Sequence, residues 1–127
     1  MKFVLIPDSF KGTLSSMEIC NLLEEQIMMR YPKSLIIKIP IADGGEGTVD
    51  AFLSAVGGEK VCVEVSGPYF ESIKGFYGLI DKGKTAILEM ASCCGLPLVE
   101  NRKNPALTST YGVGELIKHA LDNKVEK

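Results

Sequence analysis

The sequence has no tryptophan and a single histidine, His119, and no two of its four cysteines stand in a Cys-x-x-Cys spacing. With one imidazole and no thiol cluster, the usual ligand set of a structural zinc site is missing. Cys20, Cys62, Cys93 and Cys94 read more simply as small apolar side chains, although the vicinal pair leaves a redox role open. An excess of one charge is also missing. Fourteen Lys and Arg residues mix with sixteen Asp and Glu residues, giving a net charge of -2. That excludes the concentrated basic face a nucleic-acid partner needs. It leaves room for a small phosphorylated ligand, which a few backbone N–H groups can hold. No apolar run approaches the ~18 residues of a membrane span. The first residues carry one lysine, Lys2, and neither the apolar core nor the cleavage site of a signal peptide. What is left is an ordinary globular composition, 46% hydrophobic and 24% charged, for which a reduced cytoplasm is the expected location. A chain of 127 residues makes one domain, or one and part of another.

Phe3-Val4-Leu5-Ile6 is a continuous apolar run closed by Pro7, which predicts a strand buried on both faces. Ser15 and Glu18 have the spacing of a capping box, and the helix they open places Ile19, Cys20, Leu23 and Ile27 on one face. Pro32 stops it by about Arg30. Leu35 to Ile39 is a second apolar strand, so the first forty residues predict a right-handed parallel β-α-β unit. A second helix follows from Val49, with Phe52, Leu53 and Val56 inward and Gly57-Gly58 ending it. Lys60 to Val65 alternates, with Val61, Val63 and Val65 on one side. This predicts a third strand of the parallel layer, lying near its edge.

After the Ser66-Gly67-Pro68 turn the character changes. Ile73–Ile80 and Thr85–Met90 flank Asp81-Lys82-Gly83-Lys84, the pattern of an antiparallel hairpin. Ala91 to Leu98 has room for one helical turn. Val113, Leu116, Ile117, Ala120 and Leu121 mark a last amphipathic helix, on which His119 reads as a surface residue. The change at Ser66–Ile73 is the candidate domain boundary. Val125 resembles the first residue of a further strand, so the chain reads as a fragment.

Two polar loops follow the carboxyl ends of apolar strands, where open parallel sheets bind ligands. Asp8-Ser9-Phe10-Lys11-Gly12 joins a carboxylate, a hydroxyl and an ammonium beside a glycine; it reads as a phosphate clamp or as a plain connection. Asp43-Gly44-Gly45-Glu46-Gly47-Thr48 combines three glycines with two carboxylates. Its glycines permit close backbone approach to a ligand, and the N–H groups opening the next helix can hold an anion. The carboxylates suit Mg²⁺ or a substrate hydroxyl. A third stretch, Thr108 to Glu115, has hydroxyls that fit either a ligand or an ordinary helix start.

Taken together these segments resemble the glycerate kinase family of bacterial type. Pro7-Asp8-Ser9-Phe10-Lys11-Gly12, Ala42 to Thr48, Ser66-Gly67-Pro68, Glu89-Met90-Ala91 and Thr110 to Ile117 stand in the order and spacing of that family. Thr13, Ile41 and the Cys93-Cys94 pair depart from its usual residues. The resemblance implies an α/β fold: an incomplete flavodoxin- or Rossmann-like parallel sheet over residues 1–70, part of a discontinuous domain. Residues 71–127 would begin an inserted second α/β domain with an antiparallel hairpin. It further implies a phosphotransferase of roughly three times this length that uses ATP and Mg²⁺ to convert D-glycerate to 2-phosphoglycerate, or in some members 3-phosphoglycerate. In that setting Asp43 would be the base or orienter for the glycerate hydroxyl, with Mg²⁺ ligation as the other role open to it. Lys11 would neutralise a phosphate or the glycerate carboxylate. Gly44, Gly45, Gly47 and Thr48 would offer backbone access, and Asp8, Ser9, Glu46 and Thr110 would complete the walls. A family motif, Gly-Gly-Ser-Ala-Thr-Asn-Asp, does not occur here. The alternatives are therefore a non-catalytic phosphate- or nucleotide-binding module, or an inactive fragment that associates with itself or another chain.

Overall fold

The computed structural model describes all 127 residues. Strand β1 (Lys2–Leu5) and strand β2 (Leu35–Lys38) pair in parallel around helix α1 (Ser16–Arg30), with Phe3 opposite Ile36 and Leu5 opposite Lys38. The helix begins where its capping box dictates. The Ser15 hydroxyl accepts from the Glu18 N–H at 3.2 Å, and the Glu18 carboxylate accepts from the Ser15 N–H at 2.8 Å. It ends at Arg30, one residue before Tyr31 and Pro32. Phe3, Leu5 and Lys38 face α1: Ile19 and Cys20 are buried there, the Phe3 and Tyr31 rings touch, and Lys38 pairs with Glu24 at 2.6 Å. Burial of β1 on both faces is not what forms. Val4, Ile6, Leu35 and Ile39 alternate onto the opposite face and stay exposed, as does Leu23 on α1. One helix covers one face of a two-stranded sheet, and no element lies over the other.

Helix α2 (Thr48–Val56) leads into strands β3 (Glu59–Ser66), β4 (Ser72–Ile80) and β5 (Thr85–Leu88), which form a separate antiparallel sheet in that order. This corrects the expectation that the third strand extends the parallel layer. Val65 stands opposite Ile73 and Val61 opposite Tyr77, because the turn from Ser66 to Ser72 is short enough to fold β3 back on β4. The alternation of β3 is nonetheless real, and the strand lies at a sheet edge. The β4–β5 hairpin turns through Asp81, Lys82 and Gly83, all at positive φ.

Helix α3 (Ala91–Cys94), a 3₁₀ turn over Leu96–Val99 and helix α4 (Tyr111–Asp122) complete the order. Val65, Tyr77, Cys93, Leu116, Ala120 and Val125 make the core between the antiparallel sheet and its helices. Gly75 admits Cys93 and Leu116 on one face of β4, whereas Gly78 admits Val49 and Leu53 of α2 on the other. The sheet is therefore sandwiched, with α2 on one face and the later helices on the other. The buried stripe of α4 is Gly112, Leu116 and Ala120; Ile117 and Leu121, which periodicity placed inward, are exposed. His119 is not a free surface residue: it is half-buried, with Nδ1 3.1 Å from the Tyr77 hydroxyl. Beyond α4 the backbone runs beside β5. Glu126 N–H donates to the Lys84 carbonyl and Ala86 N–H to that of Lys127, both at 2.8 Å. No helix is long and apolar enough to cross a membrane.

Candidate active site

Parallel pairing of β1 and β2 sends both following loops to the same end of the sheet. The pairing continues past the strands, with the Ile39 N–H donating to Leu5 and the Ile41 N–H to Pro7. Lys11 and Asp43, 32 positions apart in sequence, consequently meet: Nζ lies 2.6 Å from Oδ2. The other carboxylate oxygen of Asp43 accepts from the Gly45 N–H at 3.0 Å. These bonds stabilise the charged form, so the Asp43 carboxyl titrates below its ordinary range. Lys11 is raised, first by the hydrogen bond to Asp43 and then by its charge, with smaller contributions from Asp8 and Glu46. One ammonium thus feels the charge of three carboxylates and touches one of them, Asp43.

The Gly-rich loop is shaped by its glycines. Gly44 and Gly47 adopt φ of 92° and 89°, a region that other residues enter only under strain. Gly45 lies against the ion pair, where a Cβ would come within 3.0 Å of Asp43 Oδ1. The Thr48 hydroxyl donates to the Gly45 carbonyl at 2.7 Å and braces the loop from within. In the first loop the Ser9 N–H donates to Asp8 at 2.7 Å.

A cleft of about 1150 Å³ opens between these loops and the segment running from Glu89 to Lys103. Ser9, Lys11, Glu46 and Gly47 line it from one side, and Glu89, Glu100 and Lys103 from the other. Asp8, Asp43, Gly44, Gly45 and Thr48 lie outside the lining, and Asp43 reaches the cleft through Lys11. Thr110 is elsewhere. It is exposed at the start of α4, beside the turn where Ser109 N–H donates to the Pro68 carbonyl. The motif containing it has a packing role: a Cβ on Gly112 would fall 2.0 Å from the Ser66 carbonyl oxygen, and Glu115 accepts from the Ser66 N–H at 2.6 Å.

Residue-type reasoning assigned no role to Glu89. Its side chain is buried, with one carboxylate oxygen 3.2 Å from the Gly47 nitrogen and the other 3.0 Å from that of Val49. The anion expected at the start of α2 is therefore the protein's own. The one available signal was an acidic residue directly behind the apolar β5 strand, within Glu89-Met90-Ala91.

No three His, Cys, Asp or Glu side chains converge as a metal cage. Asp43 and Glu46 are hard oxygen donors of the kind that bind Mg²⁺ carried mainly by phosphate oxygens and water, and to that extent the loop fits the ion. Cys20, Cys93 and Cys94 are not poised for chemistry. All four cysteines are free, and burial pushes the thiols of Cys20, Cys93 and Cys94 above their ordinary range.

Residues 3–127 match the model of the glycerate kinase family. A glycerate kinase of Haemophilus influenzae is 47% identical over 127 residues, covering 99% of this chain and 34% of the relative. A glycerate 2-kinase of Escherichia coli K12 is 40% identical over 124 residues, 97% of this chain and 32% of that protein. The crystal structure of a protein assigned as glycerate kinase 2 from Salmonella typhimurium LT2 superposes with a TM-score of 0.76 at 43% identity, covering 99% of this chain and 34% of that one. The chain spans about a third of the length of these relatives. With an α/β fold, a matching structure and a family model that runs almost end to end, the chain belongs to the glycerate kinase family.

Proposed function

We propose that this chain supplies part of a site that transfers a phosphoryl group from ATP to D-glycerate, with 2-phosphoglycerate as the product, in the cytoplasm. The observation that carries the reading is the Lys11–Asp43 pair, assembled from two strand-end loops beside a cleft of substrate size. The two-domain reading, with residues 1–70 in a discontinuous domain and residues 71–127 beginning an inserted one, sets the boundary in the turn between β3 and β4, across which the antiparallel sheet is continuous. The name of the E. coli relative supports the 2-phosphoglycerate product.

Phosphoryl transfer needs positioning and charge neutralisation more than proton abstraction. A carboxylate held below its ordinary range is a poor base at neutral pH. Asp43 is therefore better suited to accept a hydrogen bond from the glycerate hydroxyl and aim its oxygen than to store its proton. Lys11 answers a ligand anion by exchanging the Asp43 carboxylate for it. Asp43 holds that lysine, with smaller attraction from Asp8 and Glu46, so a bare phosphate must compete for it and one carrying a divalent cation is better accommodated. Mg²⁺, when bound with ATP, supplies the positive charge that the loop's own carboxylates lack. Ser9 and Glu46 line the same side of the cleft and can bind polar parts of the ligand.

A coupled ADP-release assay with D-glycerate tests this on a protein of the relatives' full length that contains this sequence. Asp43→Asn should lower kcat by about 10²-fold with the fold retained, toward the small end of what a lost acid–base group costs. Wild-type kcat in that variant would remove Asp43 from the chemistry. The 127-residue chain alone should show no turnover, since it spans about a third of the length of its relatives; turnover by it would show that these residues suffice.

One observation favours a second reading, association with another chain. Val4, Ile6, Leu35 and Ile39 leave an apolar face of the parallel sheet uncovered. Light scattering should show a mass that rises with concentration, and Ile6→Thr with Leu35→Lys should suppress the rise. A monomer at every concentration would exclude this reading.

A further inference from the structure

The start of α2 borders the candidate site, and Glu89 already takes two of its backbone donors. Its N-cap is Gly47, which has no side chain with which to cap. Glu89 provides the cap from 42 positions away. Its oxygens receive the N–H groups of Gly47 and Val49 at 3.2 and 3.0 Å, and only 2% of the residue is exposed. A carboxylate at a helix N-terminus satisfies donors that have no intrahelical partner and meets the positive end of the helix dipole. Shielded from water, such charge-assisted bonds are stronger than those of an exposed cap. Glu89 is itself held: the Ser92 hydroxyl and N–H both donate to its carbonyl, at 2.8 and 3.1 Å.

We propose that Glu89 is a positioning residue that acts as a built-in anion. It locks the Gly-rich loop onto the antiparallel sheet and denies the start of α2 to the anionic groups of the ligand, so those groups are directed to Lys11 and Gly12. This rests on the phosphotransfer reading for its meaning, but not for its test. The loop has two fastenings. At one end Asp43 is tied to Lys11 and Gly45; at the other, Gly47 and Val49 are tied to Glu89. Between them lie Gly44 and Glu46, and the Thr48 brace joins the two ends through the Gly45 carbonyl. Releasing the Glu89 end frees the glycines to sample other backbone conformations, and the carboxylate of Asp43 with them. Thus the reach of Asp43 toward a ligand depends on a side chain that does not touch that ligand.

The experiment is amide hydrogen exchange and ¹H–¹⁵N NMR of the 127-residue chain, with inorganic phosphate as the probe. In the wild type, phosphate should shift the amides of Lys11 and Gly12 and leave those of Gly47 and Val49 unmoved. In Glu89→Gln, protection of the Gly47 and Val49 amides should fall by about tenfold or more, with β4–β5 protection unchanged, as expected for a lost bond to a charged group. In Glu89→Ala, phosphate should enter the vacated position, shift Gly47 and Val49, and restore their protection. A purely structural role predicts no rescue by an anion. The proposal is overturned if phosphate shifts Gly47 and Val49 in the wild type, which requires no variant to fold. It is equally overturned if Glu89→Gln leaves their exchange unchanged, or if phosphate fails to restore protection in a folded Glu89→Ala. Phosphate that leaves Lys11 and Gly12 unmoved while the Glu89 variants behave as described would count against the phosphotransfer reading alone.

Discussion

Lys11 and Asp43 hold each other in a pair that both residues leave open to solvent, so its value lies in placement more than in stability. The pH behaviour follows from the two directions. Asp43 is depressed on folding, so its contribution is present above the ordinary carboxylate pKa of about 4 and is lost as pH falls through the lower, folded value. Lys11 is raised, so its contribution is present below about 10.4 and is lost as pH rises through the higher, folded value. The pair should therefore persist across the whole neutral range. Titration of the Asp43 carboxyl carbon by NMR should give a midpoint below that of a free aspartate, and Lys11→Ala should return it toward the ordinary value. The same Lys11→Ala change should weaken binding of an anionic ligand, measured by calorimetry, while leaving the thermal midpoint nearly unmoved. Both residues were identifiable by type, because an ammonium beside glycine and a carboxylate amid glycines are conspicuous after apolar strands. Glu89 was not, because its partners lie some forty positions upstream on another element.

At the level of elements, termini were the most legible features and faces the least. Ser15 and Glu18 specify the start of α1 by a local bond pattern that requires nothing distant. Ser15→Ala should cost about 1 kcal/mol in denaturant unfolding, the ordinary value of such a cap. Pro32 and Gly57 likewise mark helix ends by backbone chemistry alone. Faces depend on what comes to cover them. The periodicity of α4 admits a wide apolar stripe, but close approach to Ser66 selects Gly112, Leu116 and Ala120 and leaves Ile117 and Leu121 in solvent. Gly112→Ala tests this contact. A methyl 2.0 Å from the Ser66 carbonyl oxygen must push α4 off β3. The variant should lose protection of the Ser66 amide and unfold at markedly lower denaturant, whereas Gly114→Ala, which meets nothing, should not.

Across the whole molecule, stability is concentrated in the antiparallel sheet and the helices on its two faces. Leu116, fully buried in that core, should cost about 2–5 kcal/mol when cut to alanine, in the range of other large-to-small core changes. Exchange measurements on Leu116→Ala should show β3, β4 and α4 losing protection together. The β1–α1–β2 unit, with one helix on one face, should be the first to open in the wild type. Local chemistry determined a great deal here: the β-α-β unit, the hairpin, the capping box, and the two polar loops at strand ends. Each of these depends on residues within a few positions of one another, or on the rule that parallel strands carry their following loops to one edge. Tertiary structure alone decided the partner of β3, the exposed face of β1 and β2, the Tyr77–His119 contact and the carboxylate seated on α2. A period of two states which side chains share a face, and says nothing of which strand pairs beside them or which element covers them. Those choices are made by long-range packing, and the buried Glu89 is one of its products.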